Sequence, residues 1–174
     1  LARTCDAEAR WALTSRNALM PLRRLIASRR PELLKANGGG CNALLVRGLG
    51  GVRAHARRRL RAWPERRVVH AVSVQVGDDE MWFANVHAST RPPRARRDLA
   101  AAYDAALRWA GDAPLVLGGD CNVVRLALPG LAHVGASHVD HLFARGLAHA
   151  HARVETLDRG DLSDHAPLLA TFPG

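Results

Sequence analysis

The chain has 174 residues, a formal charge of +9 and 48% hydrophobic residues. That length and apolar content suit one globular domain over residues 1–174. No apolar run approaches the roughly 18 residues of a membrane span, and no signal-peptide pattern opens the chain. Cys5, Cys41 and Cys121 are odd in number and form neither a CxxC zinc pattern nor a disulfide framework, so reduced, mostly buried thiols are expected. Lys35 is the only lysine, so nearly all the positive charge is arginine. Arginine binds phosphate bidentately; the alternative is an Arg- and Ala-rich composition spread over solvated faces.

The chain does not begin with Met, and Leu1 leads straight into polar, Arg-rich sequence. It is read as a piece of a longer product. Residues 1–36 look helical and irregular, with apolar positions at Leu22, Leu25, Ile26, Leu33 and Leu34 and a new turn started by Pro31. Asn37-Gly-Gly-Gly-Cys-Asn42 reads as a loop; no Gly-Lys-Ser/Thr follows it, which rejects a P-loop. Asn42 to Arg47 reads as a strand. Gly48-Leu-Gly-Gly51 lacks the spacing of a dinucleotide fingerprint.

The arginine run from Arg53 to Arg67 is expected to be a solvated connection, with a phosphate-binding flank as the alternative. Val68 to Val76 alternates as a strand, Gly77-Asp-Asp79 is a hairpin signal, and Glu80 to His87 returns as the partner. Pro92 and Pro93 mark the entry to a helix. Arg94 to Trp109 has a helical period at Leu99, Tyr103, Ala106 and Leu107, and Gly111-Asp112 ends it. Pro114 to Gly119 reads as a buried strand, Val139 to Ala144 as another, His149 to Leu157 as an edge strand and Pro167 to Phe172 as the last. Hairpins mixed with helices predict a layered α/β domain with a mixed sheet.

Chemistry concentrates at strand ends. The strand Leu115-Val-Leu-Gly-Gly stops at Asp120-Cys-Asn122, where alternation of side chains would let Asp120 and Asn122 face one pocket. Alone, that pair is no better than a turn. Asp140 sits inside an apolar strand, where a carboxylate is costly unless paired. Asn85 and His87 end one strand, and Asp164 and His165 precede another. Ser163-Asp-His165 is no hydrolase triad, because adjacent residues cannot align nucleophile, base and orienter. The set contains three carboxylates, two imidazoles and two amides. Oxygen donors with amides suit Mg²⁺ or Mn²⁺, and histidines beside carboxylates suit phosphate contact and proton transfer. Together they are the inventory for metal-assisted phosphoester hydrolysis. A rival zinc reading pairs His138 with His141, or His149 with His151, but specifies no third ligand.

Asn85-Val-His87 resembles the N-x-H strand end of the endonuclease/exonuclease/phosphatase superfamily, the DNase I-like proteins. Gly118-Gly-Asp-Cys-Asn122 resembles its G-D-x-N motif. Val139-Asp-His-Leu-Phe143 resembles its I-D-Y-I-F strand with His141 in place of Tyr, and Ser163-Asp-His-Ala-Pro167 its terminal S-D-H-x-P. Asn42 to Arg47 resembles its G-N-A-I-L-S-R strand. Order and spacing agree from about residue 37 onward.

The resemblance implies a sandwich of two β-sheets flanked by helices. It implies a metal-dependent phosphoester hydrolase using Mg²⁺ or Mn²⁺, most readily a phosphodiesterase or nuclease. Asp120 would orient or deprotonate the attacking water, and Asn122 would hold the nucleophile or the phosphate. His165, oriented by Asp140, and His87 would contact the phosphate from two sides. Asp120, Asn122 and Asp164 would hold the metal. The partner is a phosphoester substrate, nucleic acid being one candidate; inositol phosphates and sphingomyelin are alternatives, as is an inactive phosphate-binding piece. The family's first-strand Asn and its metal-binding Glu have no counterpart in context: Asn17 and Glu32 do not stand on the expected strands. The missing segment upstream is expected to hold both, so the first strands of one sheet are expected to be absent.

Overall fold

The structure is a computed structural model that describes residues 2–14, 20–30, 40–63, 65–148, 151–161 and 163–173. A six-stranded mixed sheet organises them. Its strands are β3 (Val52–Arg61), β4 (Arg67–Val76), β5 (Asp79–His87), β6 (Leu115–Asp120), β7 (Ala132–Ser137) and β8 (Asp140–Arg145), in the spatial order β3-β4-β5-β6-β8-β7. All neighbours are antiparallel except β5 and β6. A parallel pair needs a long crossover, and α2 (Pro92–Ala110) supplies it.

α2 covers one face of the sheet. Ala95, Leu99, Ala102, Ala105, Ala106 and Ala110 form its buried stripe, packed with Val69, Ala71, Ala84, Val86, Leu115, Leu117 and Phe143. Alanine lets the helix lie close to the sheet, while Leu99 at 3% exposure and Phe143 at 1% supply larger apolar area, worth about 1.5–3 kcal/mol each. Pro92 and Pro93 fit the first turn, whose N–H groups lack helical partners. Gly111 closes the helix at φ +54, its N–H donating to Leu107 O at 2.9 Å.

The opposite face carries two antiparallel pairs. β1 (Glu8–Leu13) and β2 (Cys41–Val46) pack on β4 and β5, while β9 (Arg153–Thr156) and β10 (Leu168–Thr171) pack on β7. Asn42 Nδ2 donates to Val68 O at 3.2 Å and Asn85 Nδ2 to Ala43 O at 3.2 Å, tying the layers together. The architecture is the expected α/β sandwich with a mixed central sheet.

Several local expectations fail. Residues 8–13 are a strand rather than a helix: Trp11 and Leu13 alternate with buried Ala12, and β2 supplies the ladder. Helix α1 (Met20–Arg29) ends just before Pro31; the turn expected from Pro31 onward, with Leu33, Leu34 and Lys35, and Asn17 and Glu32, lie outside the described residues. The arginine run is mostly strand β3 rather than a connection. Its period of two was masked by charge: Ala54, Ala56 and Leu60 alternate with His55, Arg57 and Arg59, and charged side chains suit an edge strand. Strand β7 was missed; its Gly135 lies where a Cβ would come 2.5 Å from Val154 Cγ1 of β9. β9 is shorter than expected, and His149 lies outside the described residues. The thiols are free, but Cys121 alone is buried; Cys41 is exposed and Cys5 intermediate.

Candidate active site

Strand register brings three of the named residues into one row. His87 is the Cα partner of Asp120, and Asp120 of Asp140, across β5, β6 and β8. Directly paired residues share a face, so the three side chains line up at one end of the sheet. The two glycines before Asp120 let the strands approach. A Cβ on Gly119, at φ +130, would lie 2.1 Å from Val86 O, and one on Gly118 would lie 2.5 Å from Leu142 Cδ2.

Strand alternation does not place Asn122. The strand stops at Asp120, and Asn122 adopts φ +50, a left-handed conformation that asparagine tolerates. Its backbone N–H donates to Asp120 Oδ1 at 2.9 Å, and its Nδ2 donates to Ala88 O at 3.1 Å. Asp120 and Asn122 are thus a turn and a pocket wall together. Backbone bonds from Ala88 N to Asp120 O (2.8 Å) and from Cys121 N to Val139 O (2.9 Å) stitch this turn to both neighbouring strands.

His165 arrives from the loop before β10. Its Nδ1–H donates to Asp140 Oδ2 at 2.6 Å, and its backbone N–H donates to Ser163 Oγ at 3.0 Å. The bond to Asp140 holds the imidazole pKa above its ordinary value, with Asp120 and Asp164 adding smaller Coulombic contributions. With Nδ1 committed, Nε2 is the atom left to meet a ligand. A pocket of about 400 Å³ lies here, lined by Asn122, Ser137, His138, Asp140, Asp164 and His165 among others. Asp120 is joined to that wall through Asn122.

His87 Nε2 stands 3.3 Å from Asp120 Oδ2. Burial and then the charge of Arg67 pull the His87 pKa below its ordinary value, against the opposing effect of Asp120. The two side chains therefore sit side by side, His87 Nε2 facing the Asp120 carboxylate. Asn85 is committed elsewhere, to β2.

The donor set bears on the expected metal. Among the described residues, no three His, Cys, Asp or Glu side chains converge as they would around a metal ion. The oxygen donors present are Asp164, Asn122 Oδ1 and the remaining lone pairs of Asp120. Mg²⁺ keeps several waters and takes one or two carboxylates, so an open set of this chemistry fits it. A closed zinc site does not fit. His138 is exposed in the β7–β8 turn at φ +54, whereas His141 is buried and its Nε2–H donates to Val123 O at 2.7 Å.

One contributor escaped the sequence reading, and another was read for a different role. Arg159 lines the pocket, anchored by Nη1 donating to Ser163 O at 2.8 Å; one arginine among so many carries no local signal. His141 anchors the segment after Asn122, and its Nδ1 accepts from His133 Nε2 at 3.1 Å. Its place in an otherwise apolar strand was the available clue.

No family model and no curated protein matches the sequence. Solved structures do match the fold. TDP2 from Caenorhabditis elegans superposes with a TM-score of 0.66 at 15% identity, over 98% of this chain and 66% of that one. D. rerio TDP2 complexed with single strand DNA product gives 0.62 at 13% identity, over 99% and 88%. An endonuclease/exonuclease/phosphatase family protein from Bacteroides thetaiotaomicron gives 0.59 at 14% identity, over 77% and 70%. The fold is that of the endonuclease/exonuclease/phosphatase superfamily. The chain spans just under two thirds of the length of the C. elegans protein.

Proposed function

We propose that this chain carries the site of a metal-dependent phosphoester hydrolase of the phosphodiesterase type, using an activated water. The observation that carries the reading is the joining of two units at one end of the sheet, beside the pocket. One is the registered row His87, Asp120 and Asp140; the other is His165, fastened to Asp140 at 2.6 Å. The fold shared with D. rerio TDP2, whose structure holds a single strand DNA product, supports a nucleic-acid substrate, as does the charge of +9.

Asp120 accepts from the Asn122 N–H and faces His87 Nε2 at 3.3 Å, and its remaining lone pairs orient a water. Asn122 is held by its amide nitrogen and offers Oδ1. His165, whose cationic form the bond to Asp140 favours, donates Nε2–H to a phosphate oxygen as charge grows there, the kind of preorganised stabilisation that is usually the largest catalytic contribution. A bound Mg²⁺ or Mn²⁺ would be held by Asp120, Asn122 and Asp164 and would supply charge neutralisation at the phosphate.

The test is hydrolysis of single-stranded DNA, of bis(p-nitrophenyl) phosphate and of an inositol phosphate, each with Mg²⁺ and with EDTA. Cleavage of the diesters, abolished by EDTA and lowered roughly 10²–10³-fold by His165→Ala, is expected. Activity that survives EDTA or Asp120→Ala would overturn the proposal. Turnover of the monoester alone would move the substrate class.

A further inference from the structure

A basic surface lies on the same face of the sheet, near the β4 end that adjoins His87. Trp11 on β1 is 59% exposed, unusual for the largest apolar side chain. Two cavities adjoin it. One, of about 130 Å³, is lined by Trp11, Leu13, Arg57 and Arg66 among others; the second, of about 240 Å³, by Trp11, Arg10, His55 and Arg57 among others. Trp11 and Arg57 belong to both, so an exposed indole separates two cationic hollows.

The cations here are not consumed by the fold. Arg10 is paired with Glu8 at 2.5 Å, but among the described residues no carboxylate pairs with Arg57 or Arg66. The Arg66 Nε is shut off from solvent and, among the described residues, has no hydrogen-bond partner, which leaves its Nη groups to serve the hollow. Strand register sets the position: Arg57 pairs with His70 and His70 with Asn85, two residues before His87. Adjacent strands stand about 4.8 Å apart, so β3 lies about 10 Å from β5 across the sheet. That is a span of a few nucleotides.

We propose that Trp11, Arg57 and Arg66 form a platform for single-stranded nucleic acid, the indole stacking on a base and the guanidiniums meeting the flanking phosphates. Aromatic stacking between cationic grooves is how strands are held without sequence preference. The alternating pattern also fits the ligand: a purely phosphate-binding surface has no use for an exposed indole. The inference deepens the nucleic-acid part of the reading above by fixing the form of the substrate, and it rests on that reading only for the substrate's path to the site.

The test is binding, kept separate from hydrolysis. Fluorescence anisotropy of labelled dT12 is measured in EDTA with the Asp120→Asn protein, beside an abasic 12-mer that has the phosphates but no bases. Trp11→Ala should weaken dT12 binding about five- to a hundredfold and leave the abasic strand unchanged, while Trp11→Phe retains most of the affinity. Arg57→Gln with Arg66→Gln should weaken both strands and lower the log–log salt slope by about 1.4, at about 0.7 per phosphate contact. Each protein is checked for an unchanged circular-dichroism melt. Equal affinity of Trp11→Ala and the parent for dT12 would overturn the platform, as would equal binding of both strands, which would leave a general polyanion surface. Trp11-dependent binding without cleavage by the wild type would sink the hydrolytic reading and leave this one standing.

Discussion

Asp140→Asn tests the joint between the sheet and the loop. The substitution keeps the shape of the side chain and removes the charge that faces His165 Nδ1 at 2.6 Å. A hydrogen bond to a charged group is worth about 1.5–3 kcal/mol. His165 is 38% and Asp140 21% exposed, so solvent screening lowers this to about 1–2 kcal/mol. If the imidazolium acts in the transition state, the loss in rate is roughly 5–30-fold. The sign in pH follows from the raised pKa of His165. The pair's stabilisation is complete below the ordinary histidine value of about 6.5 and is lost as pH rises through the folded value. Asp140→Asn should therefore move the alkaline limb of kcat/KM to lower pH. The wild type's thermal advantage should be largest just below about pH 6.5 and shrink above it. The assay is diester hydrolysis from pH 5.5 to 9 with parallel melts, repeated in the His165→Ala protein, where Asp140→Asn should have no further effect. An alkaline limb that stays in place while the protein remains folded would refute the role of Asp140.

Three other outcomes follow from the packing. Gly119→Ala combines a glycine-only backbone conformation with overlap onto Val86 O at 2.1 Å, together costing roughly 2–6 kcal/mol; Gly130→Ala, at φ +74 with nothing within 4 Å, should cost about 1–2 kcal/mol. Equal losses in urea denaturation would contradict the close approach of β5 and β6. Asp98 is 2% exposed, and it accepts from Arg61 Nη2 at 3.0 Å and from Ser89 N and Oγ at 3.0 and 2.5 Å. Asp98→Ala should cost about 3–5 kcal/mol, and a loss below about 1 kcal/mol would show that the network carries little. Burial first, and then Asp120 and Asp140, push the Cys121 thiol up to about 12. At pH 8 the exposed Cys41 should react quickly with a disulfide reagent and Cys121 only after unfolding; one fast rate for all three thiols would be inconsistent with the packing.

What could be read in advance was local. The β4–β5 hairpin announced itself through Val72, Val74 and Val76 alternating up to Gly77-Asp78, and α2 through the spacing of Leu99, Tyr103 and Ala106. β3 was hidden because five of its ten residues are arginine, and charge concealed the alternating Ala54, Ala56 and Leu60. β1 is six residues long and is decided by its partner β2 rather than by its own pattern. The site divides the same way. Asp120 and Asn122 stood out as a pair, but their relation depends on a left-handed turn that alternation could not foresee. The Trp11 platform was invisible, since Trp11 lies more than forty residues before Arg57 and Arg66 and meets them only when β1 packs beside β3 and β4.

Register ties these observations together. Side chains on a strand repeat every two residues, so a slip of one residue would turn Asp120 from the pocket face to the face under α2. Three features guard against that slip: the glycine contacts at Gly118 and Gly119, the bond from Ala88 N to Asp120 O, and the bond from Cys121 N to Val139 O. His87, Asp120 and Asp140 thus inherit their positions from the paired central strands. His165 does not, because it sits on a loop whose link to the row, among the described residues, is the bond to Asp140. A row set by the sheet and a histidine set by one carboxylate should respond differently to perturbation. Changes at Gly119 should unfold the protein and the site together, whereas changes at Asp140 should leave the row in place and release only the histidine.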